Sequence, residues 1–200
     1  MLALLAAAGG CVKMNDTTVG EPAPRERLKP EPSPHLVGRV SGRTYYSAHG
    51  GFAVTFPVSL EYGGRITHDD AQSVTFGDRM ANRISFFSKE FSDQSPMKST
   101  LRKEGAEKAL EILVKDIYGT GMTTHYHADA RGGTLSFIFV KPLATKTGVA
   151  AMVFQNRVYL VETDLPPGVQ FLSKQDDEGA LDEKLENYAV DLLRSVEIRP

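Results

Sequence analysis

The sequence predicts an α+β fold, a mainly antiparallel sheet layered with two main helices. Three observations carry this. Two segments repeat apolar residues at three- and four-residue spacing, as amphipathic helices do. Around them lie short runs of β-branched and aromatic residues, several joined by glycine-bearing turns. Two of those runs, Leu135 to Val140 and Ala150 to Phe154, are apolar without alternation, which implies a sheet covered on both faces.

The chain opens on a different kind of segment. Leu2 to Ala8 are all Leu or Ala and lead through Gly9 and Gly10 to Cys11, the only cysteine of the 200 residues. An apolar run ending in small residues is how a secretory signal meets its cleavage site. Ala8-Gly9-Gly10-Cys11 resembles the lipobox of bacterial lipoproteins. That resemblance implies lipid on Cys11 and, with Val12 rather than aspartate next, the outer membrane. A lone cysteine also rules out an internal disulfide. From residue 12 to 38 no apolar periodicity appears, and Pro22, Pro24, Pro30, Pro32 and Pro34 alternate with charged residues. Proline fixes φ and removes donors, so a disordered, partly polyproline II tether is expected, reaching on the order of 80 Å when extended.

Residues 39–200 read as one domain. Arg43–Ser47 and Phe52–Phe56 flank His49-Gly50-Gly51 as a hairpin, and Gln72–Phe76 and Arg83–Phe91 follow as strands. Met97 to Tyr118 reads as the first helix, with Ala106, Ala109, Leu110, Leu113, Val114 and Ile117 on one face and Gly119 as its stop. Met122–Ala130, Thr134–Lys141, Val149–Phe154 and Arg157–Thr163 make a meander, turned by Gly132-Gly133 and Gln155-Asn156. Gly179 to Ser195 is the second helix, with Leu181, Leu185, Tyr188, Ala189, Leu192 and Leu193 as its stripe.

Gly51-Phe52-Ala53-Val54-Thr55-Phe56-Pro57 resembles the opening of the PsbP-like superfamily. That group includes the extrinsic photosystem II protein, the DcrB-type bacterial lipoproteins and a Ran-binding nuclear import factor. Leu192-Leu193-Arg194-Ser195-Val196-Glu197-Ile198 resembles its ending, a helix running into a short closing strand, and the likeness spans residues 42–199. It implies a PsbP-like α/β/α sandwich and a non-enzymatic, protein-binding or accessory role. Many members carry tryptophan after the proline; here Val58 and Leu60 are left to do that packing.

Candidates for chemistry are few. His125 and His127 fall on one face of a strand, continued by Asp129, where two imidazoles offer zinc or copper a start. The same face also reads as the solvated side of an edge strand, and no metal is assigned. His68-Asp69-Asp70 offers acid–base groups if buried and an aspartate turn if not. Tyr45, Tyr46, Phe86, Phe87 and Phe91 offer a groove for an apolar ligand, although adjacent pairs must point to opposite faces. No Gly-x-Ser-x-Gly elbow and no phosphate-binding glycine loop occurs.

A net charge of −2 leaves no basic excess for nucleic acid or for a polybasic membrane patch. The expected function is that of a lipid-anchored, non-enzymatic binding or accessory protein of the bacterial envelope, meeting another envelope protein and using no cofactor. The alternative is a carrier of a small apolar ligand or metal ion.

Overall fold

Seven antiparallel strands form the middle of the fold in the order β4-β5-β6-β10-β9-β8-β7. They are β4 (Arg65–Asp69), β5 (Ser73–Gly77), β6 (Arg83–Glu90), β7 (Met122–Ala128), β8 (Ser136–Pro142), β9 (Gly148–Phe154) and β10 (Arg157–Thr163). A second sheet, β1-β2-β3-β11, is built from β1 (Arg39–Ser41), β2 (Thr44–Tyr46), β3 (Phe52–Thr55) and β11 (Glu197–Ile198). Among the described residues three α-helices complete it: α1 (Pro96–Glu104), α2 (Ala106–Tyr118) and α3 (Glu178–Arg194). The computed structural model describes residues 36–119, 122–128, 136–142, 147–164 and 178–199. Cys11, the proline-rich segment through residue 35, Asp129 and the Gly132-Gly133 turn lie outside the described residues.

Both faces of the large sheet are covered, as its unalternating strands require. In β9, Gly148 to Val153 are all buried. On one face Ala150, Met152 and Val161 pack with Phe52 and Val54 of the small sheet and with Leu185, Ala189 and Leu193 of α3. On the other, Val149, Ala151, Val153, Val158 and Leu160 pack with Leu110 and Val114 of α2. Each fully buried Val, Leu, Met or Phe among these contributes roughly 1.5–3 kcal/mol through removal of apolar surface from water. Val58 is buried, and Leu60 packs on the same cluster from its edge.

The structure amends the expected elements in four places. Met97 to Tyr118 is not one helix, because Gly105 sits at φ 92°, ψ 175° and separates α1 from α2. The first of these starts on Ser95, whose hydroxyl accepts from Met97 N at 3.3 Å, with Pro96 in the first turn where its missing N–H matters least. β1 and β4 were not anticipated. Both are short edge strands with little apolar content, which is how edges avoid pairing with other chains. His68 and Asp69 therefore belong to a strand, and only Asp70 to the turn. Lastly, Val37 and Gly38 donate their amides to Asp69 Oδ2 at 2.8 and 2.9 Å, so the domain takes hold of the last two residues of the expected tether.

The small sheet reaches the large one through its last strand. α3 crosses the face of the large sheet, and the chain then pairs β11 with β3, Ile198 opposite Phe52. The C-terminal residues are thus delivered to the hairpin loop between β2 and β3.

Candidate functional site

Two hairpin turns face each other across one end of the fold. The first, Ser47 to Gly51, joins β2 to β3 and is drawn tight by its own bonds: Ser47 N to Phe52 O at 3.0 Å and Gly50 N to Ser47 Oγ at 2.8 Å. Ser88 of β6, wholly buried, donates its hydroxyl to Gly50 O at 2.7 Å and pins the loop to the large sheet. Gly51 has φ 64°, and a Cβ there would come within 3.0 Å of Arg199 O. Its carbonyl accepts from Arg199 N at 2.8 Å and, more weakly, from the Tyr159 hydroxyl at 3.4 Å. A side chain at 51 would be strained twice, by backbone and by space.

The second turn, Gln155-Asn156, joins β9 to β10. Gln155 holds φ 55°, a left-handed conformation unusual for a residue with a side chain. Asn156 fixes the turn by donating Nδ2 to Phe91 O at 2.8 Å, and Phe91 N returns a bond to Asn156 O at 2.8 Å.

Arg157 ties the turns together. Its Nη1 donates to His49 O at 3.1 Å and lies 3.4 Å from Ser88 Oγ, while Nη2 reaches Glu90 Oε2 at 3.2 Å. The register of β10 on β6 places Arg157 opposite Glu90, so the pair follows from strand alignment. Between the turns lies a cleft of about 660 Å³, within the size range of ligand pockets. It is lined by Tyr46, Ser47, His49, Phe52, Glu90, Phe154, Gln155, Asn156, Tyr159, Ile198 and the two arginines 157 and 199. At its rim two guanidinium groups lie over the Tyr46 ring, Arg39 at 4.9 Å and Arg199 at 4.7 Å from the ring centre.

The hydroxyls of Ser47, in the cleft lining, and of Ser88, behind it, are both engaged with the Gly50 backbone. Burial pushes the Tyr159 phenol up, Arg157 pulls it partly back and Glu90 pushes it up again, so the group stays protonated and donates. Planar guanidinium forks suit carboxylates, while the free amide ends of Gln155 and the aromatic faces suit a peptide.

No protein-family model and no curated protein sequence matches the chain. Solved structures do. The Saccharomyces cerevisiae Ran-binding protein Mog1p is 10% identical with a TM-score of 0.43, covering 82% of this chain and 96% of its own. A single-substitution variant of Mog1 is 12% identical with a TM-score of 0.41, covering 74% and 91%. Cyanobacterial PsbP (CyanoP) from Synechocystis sp. PCC 6803 is 11% identical with a TM-score of 0.43, covering 84% and 98%. These are likenesses of fold, and the site is read from its own residues.

The residues singled out from sequence are dispersed. His125 of β7 is exposed, and its Nδ1 lies 2.6 Å from Glu186 Oε2 of α3, tying strand to helix. His127 stands two places on, opposite Phe137 of β8. Among the described residues no group of three His, Cys, Asp or Glu side chains is placed to hold a metal ion. Asp70 closes a turn: Oδ1 accepts from Gln72 N and Ser73 N, both at 2.7 Å, and Oδ2 from Ser73 Oγ at 2.9 Å, with His68 Nε2 at 3.1 Å. Burial pushes its carboxyl up, but these donors outweigh that and hold it down at about 2. Of the five aromatics proposed for a groove, Tyr45, Phe86 and Phe91 are core and Phe87 packs at the edge of the helix-side cluster. Tyr46 alone lines the cleft. Glu90, Arg157 and Arg199, which shape it, carried no signal of their own. Gln155-Asn156 and His49-Gly50-Gly51 were legible as turns, but nothing in the sequence says that two turns a hundred residues apart meet.

Proposed function

We propose that this chain is a lipid-anchored, non-enzymatic binding or accessory protein of the bacterial cell envelope, which meets another envelope protein through the cleft between its two hairpin turns. The observation that carries the reading is the cleft itself: walled by two turns that are hydrogen-bonded to the large sheet, and lined by aromatic, amide and guanidinium groups. Anchorage rests on the lipobox-like Ala8-Gly9-Gly10-Cys11 and on the proline-rich segment that follows. Several acyl chains on one cysteine would supply more than the two signals stable attachment needs. The motif Gly51 to Pro57, which prompted the PsbP-like resemblance, starts in the cleft wall, where Gly51 and Phe52 line it. The same resemblance supports a role without catalysis.

The test is made in cells. The full chain, expressed in a bacterial host behind a complete signal peptide, should take up labelled fatty acid, and Cys11→Ser should abolish that. A photo-crosslinker at Gln155 should then give one dominant adduct, identifiable by mass spectrometry as an envelope protein. His49→Trp, which fills the cleft mouth from an exposed loop position, should remove the adduct. An unlabelled wild type, or an adduct indifferent to His49→Trp, overturns the proposal.

A further inference from the structure

We infer, building on the reading above, that the cleft takes an acidic extended segment of its partner protein, with a carboxylate seated on the guanidinium groups that lie over Tyr46. The charge around the cleft runs against that of the whole molecule. The chain carries −2, yet three arginines, 39, 157 and 199, converge on this one end. Arg157 is consumed by the scaffold, through its bonds to His49 O and Glu90. Arg199 donates Nη2 to Glu197 Oε1 at 2.8 Å, an exposed pair that an incoming carboxylate can share. Arg39 has no carboxylate partner among the described residues, and its recorded contact is the Tyr46 ring.

The ring prepares those groups for an anion. A guanidinium placed over an aromatic face gains cation–π attraction while its N–H groups can still donate to an anion. It also loses less conformational freedom on binding than a solvated arginine would, because its position is already fixed. The small sheet sets the spacing. Arg39 is opposite Tyr46 in the β1–β2 pair, Tyr46 is opposite Ala53, and Ala53 is opposite Glu197, two residues before Arg199. The two cations thus lie over one ring on the outer face of the sheet, beside a cleft whose amide groups can bond a peptide backbone.

Charge complementarity also decides against a lipid surface. Lysine, the usual residue of an anionic-membrane face, is missing from the cleft lining. Glu90 and Glu197 stand at the rim with side chains 64% and 61% exposed, where a plane of lipid phosphates would meet them. A peptide can aim a single carboxylate at Arg39, which has no carboxylate partner among the described residues, and keep clear of both glutamates.

The experiment uses the full chain with Cys11→Ser, so that it stays unacylated, and a fluorescent peptide carrying two aspartates around a phenylalanine. Fluorescence anisotropy should show saturable binding that weakens with salt. Replacing both aspartates by asparagine should weaken it on the order of tenfold, and so should Arg39→Gln or Arg199→Gln. Arg199→Gln leaves the backbone bond to Gly51 in place, and an unchanged melting temperature would confirm an intact fold. Equal affinity for the asparagine peptide, or parental affinity in both arginine variants, overturns the inference. Binding to phosphatidylglycerol vesicles that the same variants abolish overturns it too, in favour of lipid. Should the acidic peptide fail while His49→Trp still removes the adduct in cells, the acidic segment falls and the protein partner stands. An adduct indifferent to His49→Trp takes both down.

Discussion

Asp69 and Tyr45 lock the two sheets together: the Tyr45 hydroxyl donates to Asp69 Oδ1 at 2.6 Å from a fully buried position. A β-bulge makes this possible. In β4, Ile66 pairs with Phe76 and His68 with Thr75, so Thr67 is an extra residue. Regular alternation would send His68 inward with Ile66 and Asp69 out to solvent. The bulge shifts the phase by one, so Thr67 and His68 are both exposed and Asp69 turns in toward Tyr45. The other oxygen of the same carboxylate receives the amides of Val37 and Gly38.

Removing either partner should therefore cost stability unequally. Tyr45→Phe deletes one donor to a carboxylate that keeps two others, and about 1 kcal/mol is expected. Asp69→Ala leaves a buried hydroxyl and two amides unmet, for roughly 1–3 kcal/mol. Because both variants break the same bond, the double variant should lose less than the sum. Urea unfolding with unchanged slopes measures all three.

Alkaline pH should expose the same link. Burial first, and Asp69 second, raise the Tyr45 phenol above its ordinary value of 10.0. Folding thus favours the protonated form, so this stabilisation is complete below pH 10 and fades as pH rises beyond it. Tyr118, raised by burial and by Glu162, adds to the same limb. In Tyr45→Phe the slope of stability above pH 10 should fall by up to about 1.4 kcal/mol per pH unit. Chemical denaturation at a series of alkaline pH values tests this; parallel wild-type and variant curves would refute it.

Asp70 gives the acid counterpart. Its carboxyl is held at about 2 against an ordinary 3.8, so the stabilisation is present above pH 3.8 and is lost as pH falls through 2. With a side chain 51% exposed, the effect is modest and partly screened. Asp70→Asn keeps an oxygen for the Gln72 and Ser73 amides, so the turn should survive at neutral pH while the acid slope flattens. Denaturant unfolding between pH 2 and 4 would show it.

Layering was legible from sequence because it depends on local apolar pattern, and β10 was legible to the residue for the same reason. The helix break at Gly105 was concealed: a continuous stripe from Ala106 onward invites extension backward through Leu101 and Met97, which do pack on the same cluster. The bulge at Thr67 was invisible, since Arg65 to Asp69 contains a single apolar residue and offers no alternation to disturb. The cleft depends on register across the sheet. Arg157 meets Glu90 and His49 only after β10 has aligned on β6, and that pairing is written in no short window.

The final prediction concerns that alignment. Arg157 bridges β10, β6 and the hairpin loop through a planar fork, and lysine cannot reproduce it, having one compact charge on a flexible stem. Arg157→Lys should keep the attraction to Glu90 and lose the bond to His49 O. The exposed arm toward Glu90 contributes little, so the stability change should stay near 1 kcal/mol. Its local effect should be larger than that number suggests. Ser88 would still hold Gly50 O, but the tie through His49 O would be gone, and Gly51 would be left to its bonds with Arg199 and Tyr159. Amide hydrogen exchange should accelerate in Ser47 to Gly51 while the amides of β9 and α2 keep their protection. Uniform acceleration across both regions would mean global destabilisation, and unchanged exchange in the loop would mean that Arg157 does not shape the cleft.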